Sequence, residues 1–283
     1  MMTRFARGFG LVAALGAGGV RSARAQAASP APSAAVFTSR DAAILGGATA
    51  GSAAVSLFDV RIARFFAKPT LHQRRRFETM AKRTSFVTET LLMLSGTGVW
   101  AIARLSHSSG TADVALHTTE SVASGAAFIQ VIRGIGGRAR PYVVSDSTKS
   151  GDSDPYDFEW LKGFTSFDYR SFPSMHAMAS FAAATALGQE MRVHRMRYRE
   201  VAIPLLYVAA SASPAARLYL DEHWASDVAL GALIGIFAAQ KTVNYSHAHE
   251  PTPVDRILLN RETRIGLRVQ GGRLSPVICV CSW

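Results

Sequence analysis

Six uncharged runs of small and apolar residues recur along this chain, at 42–58, 90–103, 121–132, 175–188, 201–216 and 228–240. They are 12 to 17 residues long, longer than an ordinary strand and the right length for a buried helix of three to five turns. Six such runs in one chain, joined by polar connections, call for an all-α bundle of about six helices around one core. None is a stretch of 18 or more strongly apolar residues, the usual mark of a bilayer-crossing helix. We therefore expect a compact exported domain ahead of an integral membrane protein. The mild hydrophobicity of the runs leaves short or tilted spans open.

At 283 residues the chain suits one large domain. Apolar residues make up 48% and charged residues only 18%, below the quarter or so usual in soluble proteins. That balance excludes disorder, collagen and coiled coil as descriptions of the whole. Two cysteines, Cys279 and Cys281, exclude a disulfide-stapled scaffold and a four-cysteine zinc site, and a free or intermolecular thiol pair is the expectation.

Residues 1–27 read as a signal peptide. Arg4 and Arg7 precede an apolar run at 8–20, and Ala23-Arg24-Ala25 or Ala25-Gln26-Ala27 offers a small-x-small cleavage site. Residues 28–40 read as a linker, 41–250 as the helical domain and 251–283 as a C-terminal tail. In the tail, 265–269 and 276–281 flank Gly271-Gly272 and suit a short β-hairpin. Helices are expected over 41–67, with Ser39 or Asp41 as cap, and over 84–105, 113–133, 174–191, 201–216 and 222–241. The stretch 142–170 is rich in Ser, Asp, Gly and aromatics and lacks an apolar period. We read it as an ordered loop that packs down through Tyr156, Phe158, Trp160 and Phe164 and covers a pocket mouth.

The formal net charge is +11, and the excess survives removal of the four arginines before residue 25. It points to phosphate, nucleic acid or anionic lipid. Arg61, Arg64, Lys68, Arg74, Arg75, Arg76, Lys82 and Arg83 stand against Glu78. They read first as a solvated face and second as a patch for a membrane surface. No aromatics interleave with Arg74–Arg76 and no nucleic-acid motif is present, so nucleic acid is not an expected partner.

Three stretches place polar residues on otherwise apolar helices. They are Arg133-x4-Arg138-Ala-Arg140-Pro141, Ser171-Phe-Pro173-Ser174-Met175-His176, and Arg217-x5-His223-x3-Asp227. His223 and Asp227 are four apart, so on a helix they share a face, and a carboxylate there fixes the imidazole tautomer. Ser174 begins a helix, whose free N–H groups suit an anion, and His176 follows in its first turn. Arg133, Arg140 and Arg217 add planar forks matched to phosphate oxygens. Together they make a phosphoryl-transfer site that needs no metal ligand.

With Pro141 and Pro173 these stretches read Arg-x6-Arg-Pro, Pro-Ser-Met-His and Ala-Arg-x5-His-x3-Asp. In this the chain resembles the type-2 phosphatidic acid phosphatases, relatives of bacterial acid phosphatases and vanadium haloperoxidases, whose pattern is Lys-x6-Arg-Pro, Pro-Ser-Gly-His and Ser-Arg-x5-His-x3-Asp. The resemblance covers roughly 41–241. It implies that His223 attacks phosphorus to form a phosphohistidine, that Asp227 orients His223, and that His176 protonates the leaving alkoxide. Arg133, Arg140, Arg217, Ser174 and the Met175 N–H would hold the phosphate oxygens. Three departures stand out: Arg133 for lysine, Met175 for glycine and Ala216 for serine. We expect the Met175 side chain to narrow or grease the leaving-group side.

The expectation is a phosphatase acting on phosphate monoesters, either lipid phosphates or a broad soluble range, with no metal or cofactor. The alternatives are a vanadium-dependent haloperoxidase, which would take vanadate in the same pocket, and a non-catalytic anion- or lipid-binding protein. Location is read as exported, periplasmic or membrane-associated, with integral insertion open. Two further features stay open: His117 with Glu120, three apart, reads as a buried pair supporting the site or as ordinary polar positions, and His247-Ala-His249 is half of a metal-ligand set but, joined only by Glu250, reads as an exposed helix end.

Overall fold

The computed structural model describes residues 37–72, 75–144, 154–248, 263–270 and 273–280. The expected signal peptide and all but the last residues of the expected linker lie outside the described residues. So do 145–153, His249, Cys281 and the start of the tail. The described residues hold eight helices of eight residues or more: α1 Ser39–Ser56, α2 Asp59–Phe66, α3 Arg75–Thr84, α4 Glu89–Leu105, α5 Ser109–Gly136, α6 Met175–Val193, α7 Arg199–Tyr219 and α8 Ala225–Ala248. The all-α class stands. After the bundle, β1 Thr263–Gln270 pairs antiparallel with β2 Arg273–Val280.

The long helix expected over 41–67 is two, bent by 59° between Ser56 and Asp59, and the one expected over 84–105 is joined to α3 at a 56° bend. Local capping explains the starts. Thr38, rather than Ser39 or Asp41, caps α1: its hydroxyl accepts from the Asp41 N–H at 3.3 Å, and Asp41 Oδ2 accepts from the Thr38 N–H at 2.8 Å. This reciprocal pair satisfies two otherwise orphaned donors. Thr88 caps α4 by accepting from the Leu91 N–H. Between the two parts of the second bend the chain leaves the helical ladder, and the Ser85 carbonyl turns toward His176.

Helix α6 is the axis of the bundle and packs against α4, α5, α7 and α8. Its alanines Ala177, Ala179, Ala182 and Ala186 are fully buried, which lets backbones come close. At Gly231 of α8 an added Cβ would sit 2.3 Å from the Ser174 carbonyl oxygen, so only glycine fits where α8 crosses the start of α6. The core runs through Val122, Ile129, Met175, Met178, Leu230 and Ile234. Met175 is thus a core residue, not a side chain projecting over the leaving group as expected. A helix start tilts its side chains back and under, and the room there is apolar.

Outside the core, α4 exposes Leu94 and Ile102, α5 exposes Phe128 and Val131, and α7 exposes Val201, Leu205 and Val208. Helices α7 and α8, of 21 and 24 residues, are long and apolar enough to cross a membrane. In both, the uncharged run is shorter than the helix that contains it. The helices extend past them through Arg199, Glu200 and Arg217 at one pair of ends and through Asp227 and Lys241 at the other.

Candidate active site

The site is assembled where α5 ends, α6 begins and α7 turns into α8. Helix α5 stops at Gly137, whose φ of +55° is left-handed and whose N–H bonds back to the Arg133 carbonyl. A Cβ there would meet the Glu159 carbonyl oxygen at 1.7 Å. This stop sends 138–140 across the bundle end, and 154–170 runs beside it. The Glu159 N–H donates to the Gly137 carbonyl, Ala139 N–H to the Asp157 carbonyl, and Arg140 N–H to the Asp168 carbonyl. The loop is therefore ordered over 154–170 and walls one side of the site. Phe158 and Phe164 touch Phe172 and Gly134 yet stay largely exposed, and Tyr156 and Trp160, the latter 79% exposed, do not pack down as expected.

Arg133, Arg140 and Arg217 are all buried. Their charges act on one another: burial, then Arg140, Arg170 and Arg217, push the Arg133 guanidinium down to about 10. Burial likewise pushes Arg140 down, against the pull of Glu222. The Nε atoms of Arg133 and Arg217 are buried donors with no hydrogen-bond partner among the described residues. Buried cationic donors without acceptors are costly. This concentration of them suits an anion with several oxygens. Glu222 supplies one carboxylate: its Oε2 accepts from Arg140 Nη1 and, at 2.6 Å, from Arg217 Nη2.

His223 lies within reach of the same charges. Burial, together with Arg140 and Arg217, pushes its pKa down to about 4, against Asp227. The imidazole is neutral at pH 7, with a nitrogen lone pair available. Here the structure corrects the helix argument. His223 lies in the bend before α8, not on the helix with Asp227. Its Nδ1 is 2.8 Å from the Ser171 carbonyl oxygen and 3.8 Å from Asp227 Oδ2. A carbonyl only accepts, so Nδ1 carries the proton and Nε2 keeps the lone pair. Asp227 instead caps α8. Its Oδ2 accepts from the Trp224 N–H at 2.8 Å and from the Ser171 hydroxyl.

His176 is in the first turn of α6, and its Nε2 lies 3.2 Å from the Ser85 carbonyl oxygen. Burial, then Arg217 and His223, pushes its pKa down to about 3. Ser174 is fully buried, caps α6 by accepting from the Ala177 N–H, and gives its own N–H to the Asp227 carbonyl. Met175 has no positive φ, so a side chain at this position costs no backbone strain and its N–H faces out of the helix start.

Four participants were not assigned from the sequence: Arg138, Asp59, Ser171 and Glu222. Arg138, 2% exposed, donates to Asp227 Oδ1 and Ser226 Oγ through Nη1, to Asp59 Oδ2 through Nη2 and to the Pro155 carbonyl through Nε. Its guanidinium lies against the rings of Phe158, Phe172 and Trp224. Arg138 thus props Asp227 from behind. The available signals were a third arginine in the Arg133–Arg140 run and an aspartate, Asp59, set in the apolar context Leu57-Phe58-Asp59-Val60.

An apolar groove of about 370 Å³ lies between α2, α3 and α7, lined by Phe65, Leu71, Phe77, Met80, Thr84, Ala212 and Ala216 among others. Its walls adjoin the site in sequence through Ser85 and Arg217. Ala216, where the family pattern has serine, packs on Ala81 and Tyr219.

Residues 115–250 match the family model of the PAP2 superfamily. Among solved structures, the chain is similar to a transmembrane PAP2-type phosphatidylglycerolphosphate phosphatase from Bacillus subtilis. The identity is 15%, over 71% of this chain and 98% of that one, with a TM-score of 0.37. No curated protein matches the chain significantly.

Proposed function

We propose, for a chain whose residues 115–250 match the PAP2 superfamily model, a membrane-associated phosphatase that hydrolyses phosphate monoesters of lipids through a phosphohistidine on His223, without a metal. The observation that carries this reading is the set of three buried arginines beside a neutral imidazole, two of them with unpartnered Nε donors.

In the proposed reaction the substrate phosphate displaces the Glu222 carboxylate. Arg133, Arg140 and Arg217 then hold its non-bridging oxygens, with the N-terminal N–H groups of α6 alongside. His223 Nε2 attacks phosphorus while Nδ1–H stays bonded to the Ser171 carbonyl. The P–N bond forms, the P–O bond to the alcohol breaks, and the alkoxide takes a proton from His176. Ser85 holds His176 Nε2–H, so Nδ1 is the nitrogen that gains and passes the proton. Without phosphate His176 is unprotonated at pH 7, because burial, and after it Arg217 and His223, disfavour the added charge. A bound phosphate reverses that field, so the acid form arises with the substrate. Water activated by His176 then cleaves the P–N bond and releases phosphate.

The lipid preference rests on the apolar groove between α2, α3 and α7, whose lining residue Ala216 precedes Arg217 in sequence and which suits an acyl or isoprenoid chain, and on the apolar outer faces of α4, α5 and α7. Export through the 1–27 segment is part of the same proposal.

The test is hydrolysis by purified protein of a chromogenic monoester and of a lipid phosphate in mixed micelles, with and without chelator and vanadate. We expect turnover that survives chelation, is inhibited by vanadate and is abolished in His223→Ala. Full activity in His223→Ala refutes the nucleophile. Halide oxidation by peroxide in the presence of vanadate, with no ester hydrolysis, replaces the phosphatase with a haloperoxidase.

A further inference from the structure

The three helices that carry the candidate active site also carry, at their far ends, a second cluster. Glu190 of α6 is fully buried. Its Oε1 is 2.7 Å from His117 Nδ1 of α5 and 2.9 Å from His247 Nε2 of α8. Its Oε2 is 3.3 Å from Nε2 of His194, at the end of α6. The His117 and His247 rings meet edge to face at 5.1 Å, and those of His194 and His247 at 6.4 Å. Glu190 stands 14 residues beyond His176, about 21 Å along a helix, so the cluster is no part of the oxyanion site. By spacing alone His117 pairs with Glu120 and His247 suits an exposed helix end. In the structure both turn inward to Glu190, and His247 is half-buried.

A carboxylate removed from water needs a cation. The ion pairs that Glu190 makes among the described residues are with imidazoles, not with lysine or arginine. One carboxylate oxygen and two imidazole nitrogens from three helices, all within 4.8 Å of one another, form a donor set suited to a borderline divalent transition metal. We infer that His117, Glu190 and His247 bind a zinc-class divalent ion, with His194 at hand as a fourth ligand. Tetrahedral zinc bonds of about 2.0–2.2 Å set ligand atoms roughly 3.3 Å apart. The ion would enter by widening the present contacts by about half an ångström and replacing the shared protons. Its role is structural: it clasps α5, α6 and α8 at the end opposite the chemistry. This inference does not depend on the phosphatase reading, since none of its ligands touches the arginine site.

The experiment uses full-length protein without a histidine tag, stripped with chelator and titrated with zinc or cobalt(II). We expect about one equivalent bound, the visible ligand-field bands of low-symmetry cobalt(II), and a rise in Tm of roughly 5–10 °C at zinc near 100 times its Kd. His247→Gln, at the half-buried end of α8, should fold, keep its monoester hydrolysis, and lose both the cobalt bands and the Tm shift. Glu190→Gln should do the same if it folds; if it does not, His247→Gln and the cobalt spectrum of the parent still decide. No bound metal in the parent overturns the inference. So does metal binding that persists unchanged in His247→Gln, which would place the ion elsewhere.

Discussion

The Nδ1 of His223 bonds to the backbone carbonyl of Ser171, 2.8 Å away, while the carboxylate of Asp227 stands 3.8 Å off. The proton that fixes the tautomer is therefore held by main chain, and the aspartate acts one step back, through the Ser171 hydroxyl and the start of α8. Asp227→Asn should leave the His223 tautomer intact. We expect kcat to fall about 10- to 100-fold with KM nearly unchanged, against complete loss in His223→Ala. Steady-state kinetics on both variants check it; equal losses would restore the aspartate as the direct partner.

Arg138 joins two fully buried carboxylates, Asp59 and Asp227. Removing it leaves both without a cation, held only by neutral donors. Arg138→Ala should cost about 3–5 kcal/mol, a fall in Tm of roughly 10 °C, or fail to fold. Arg138→Lys, which cannot reach both acids with one fork, should recover less than half. Thermal melts in detergent measure this.

Glu222 lies on two of the arginines proposed to receive phosphate. Glu222→Gln should lower KM for a monoester and the inhibition constant for inorganic phosphate by about 3- to 10-fold, equivalent to about 1 kcal/mol. A raised KM would show instead that Glu222 positions the arginines and does not compete with the ligand.

The two site histidines carry an acid sensitivity. Their pKa values are about 3 and 4 when folded, against 6.5 as the ordinary value. The unfolded chain therefore takes up protons that the folded chain refuses. Their contribution to stability is whole above pH 6.5 and is lost as pH falls from there through about 4. Tm of the phosphate-free protein should drop across that window. His176→Gln should flatten the drop, and an unchanged slope would count against the burial assigned to His176.

Filling the groove at exposed Ala212 tests the lipid preference. Ala212→Trp should cut kcat/KM for a lipid phosphate about tenfold while sparing a short soluble ester. Equal effects on both would place the acyl chain elsewhere.

The helical class was legible because uncharged runs of helix length admit few other outcomes, and the arginines, Ser174 and both histidines were legible because their spacings are local signatures. What was hidden depends on chain crossings that spacing does not encode. Arg138 looked like one more basic residue until Asp59, 79 positions earlier, came to lie against it. His223 looked helical because the pattern His-x3-Asp fits a helix, yet the helix begins two residues later and the aspartate is spent on its cap. Met175 looked like a pocket residue because its neighbours Ser174 and His176 are polar, but a helix start turns successive side chains about 100° apart, and its own points into the core. His117 and His247 stood out singly but could not be joined, because Glu190, the residue that gathers them, lies 73 and 57 positions away on another helix.

The bond from Glu222 to Arg140 and Arg217 also bears on how a catalytic cycle closes. Inorganic phosphate leaving three naked guanidinium groups would have to climb out of a deep well. A tethered anion waiting at the rim turns that departure into a swap, with one acid sliding in as the other slides out. Strong grip on the ester and brisk clearance of product then cease to be opposing demands.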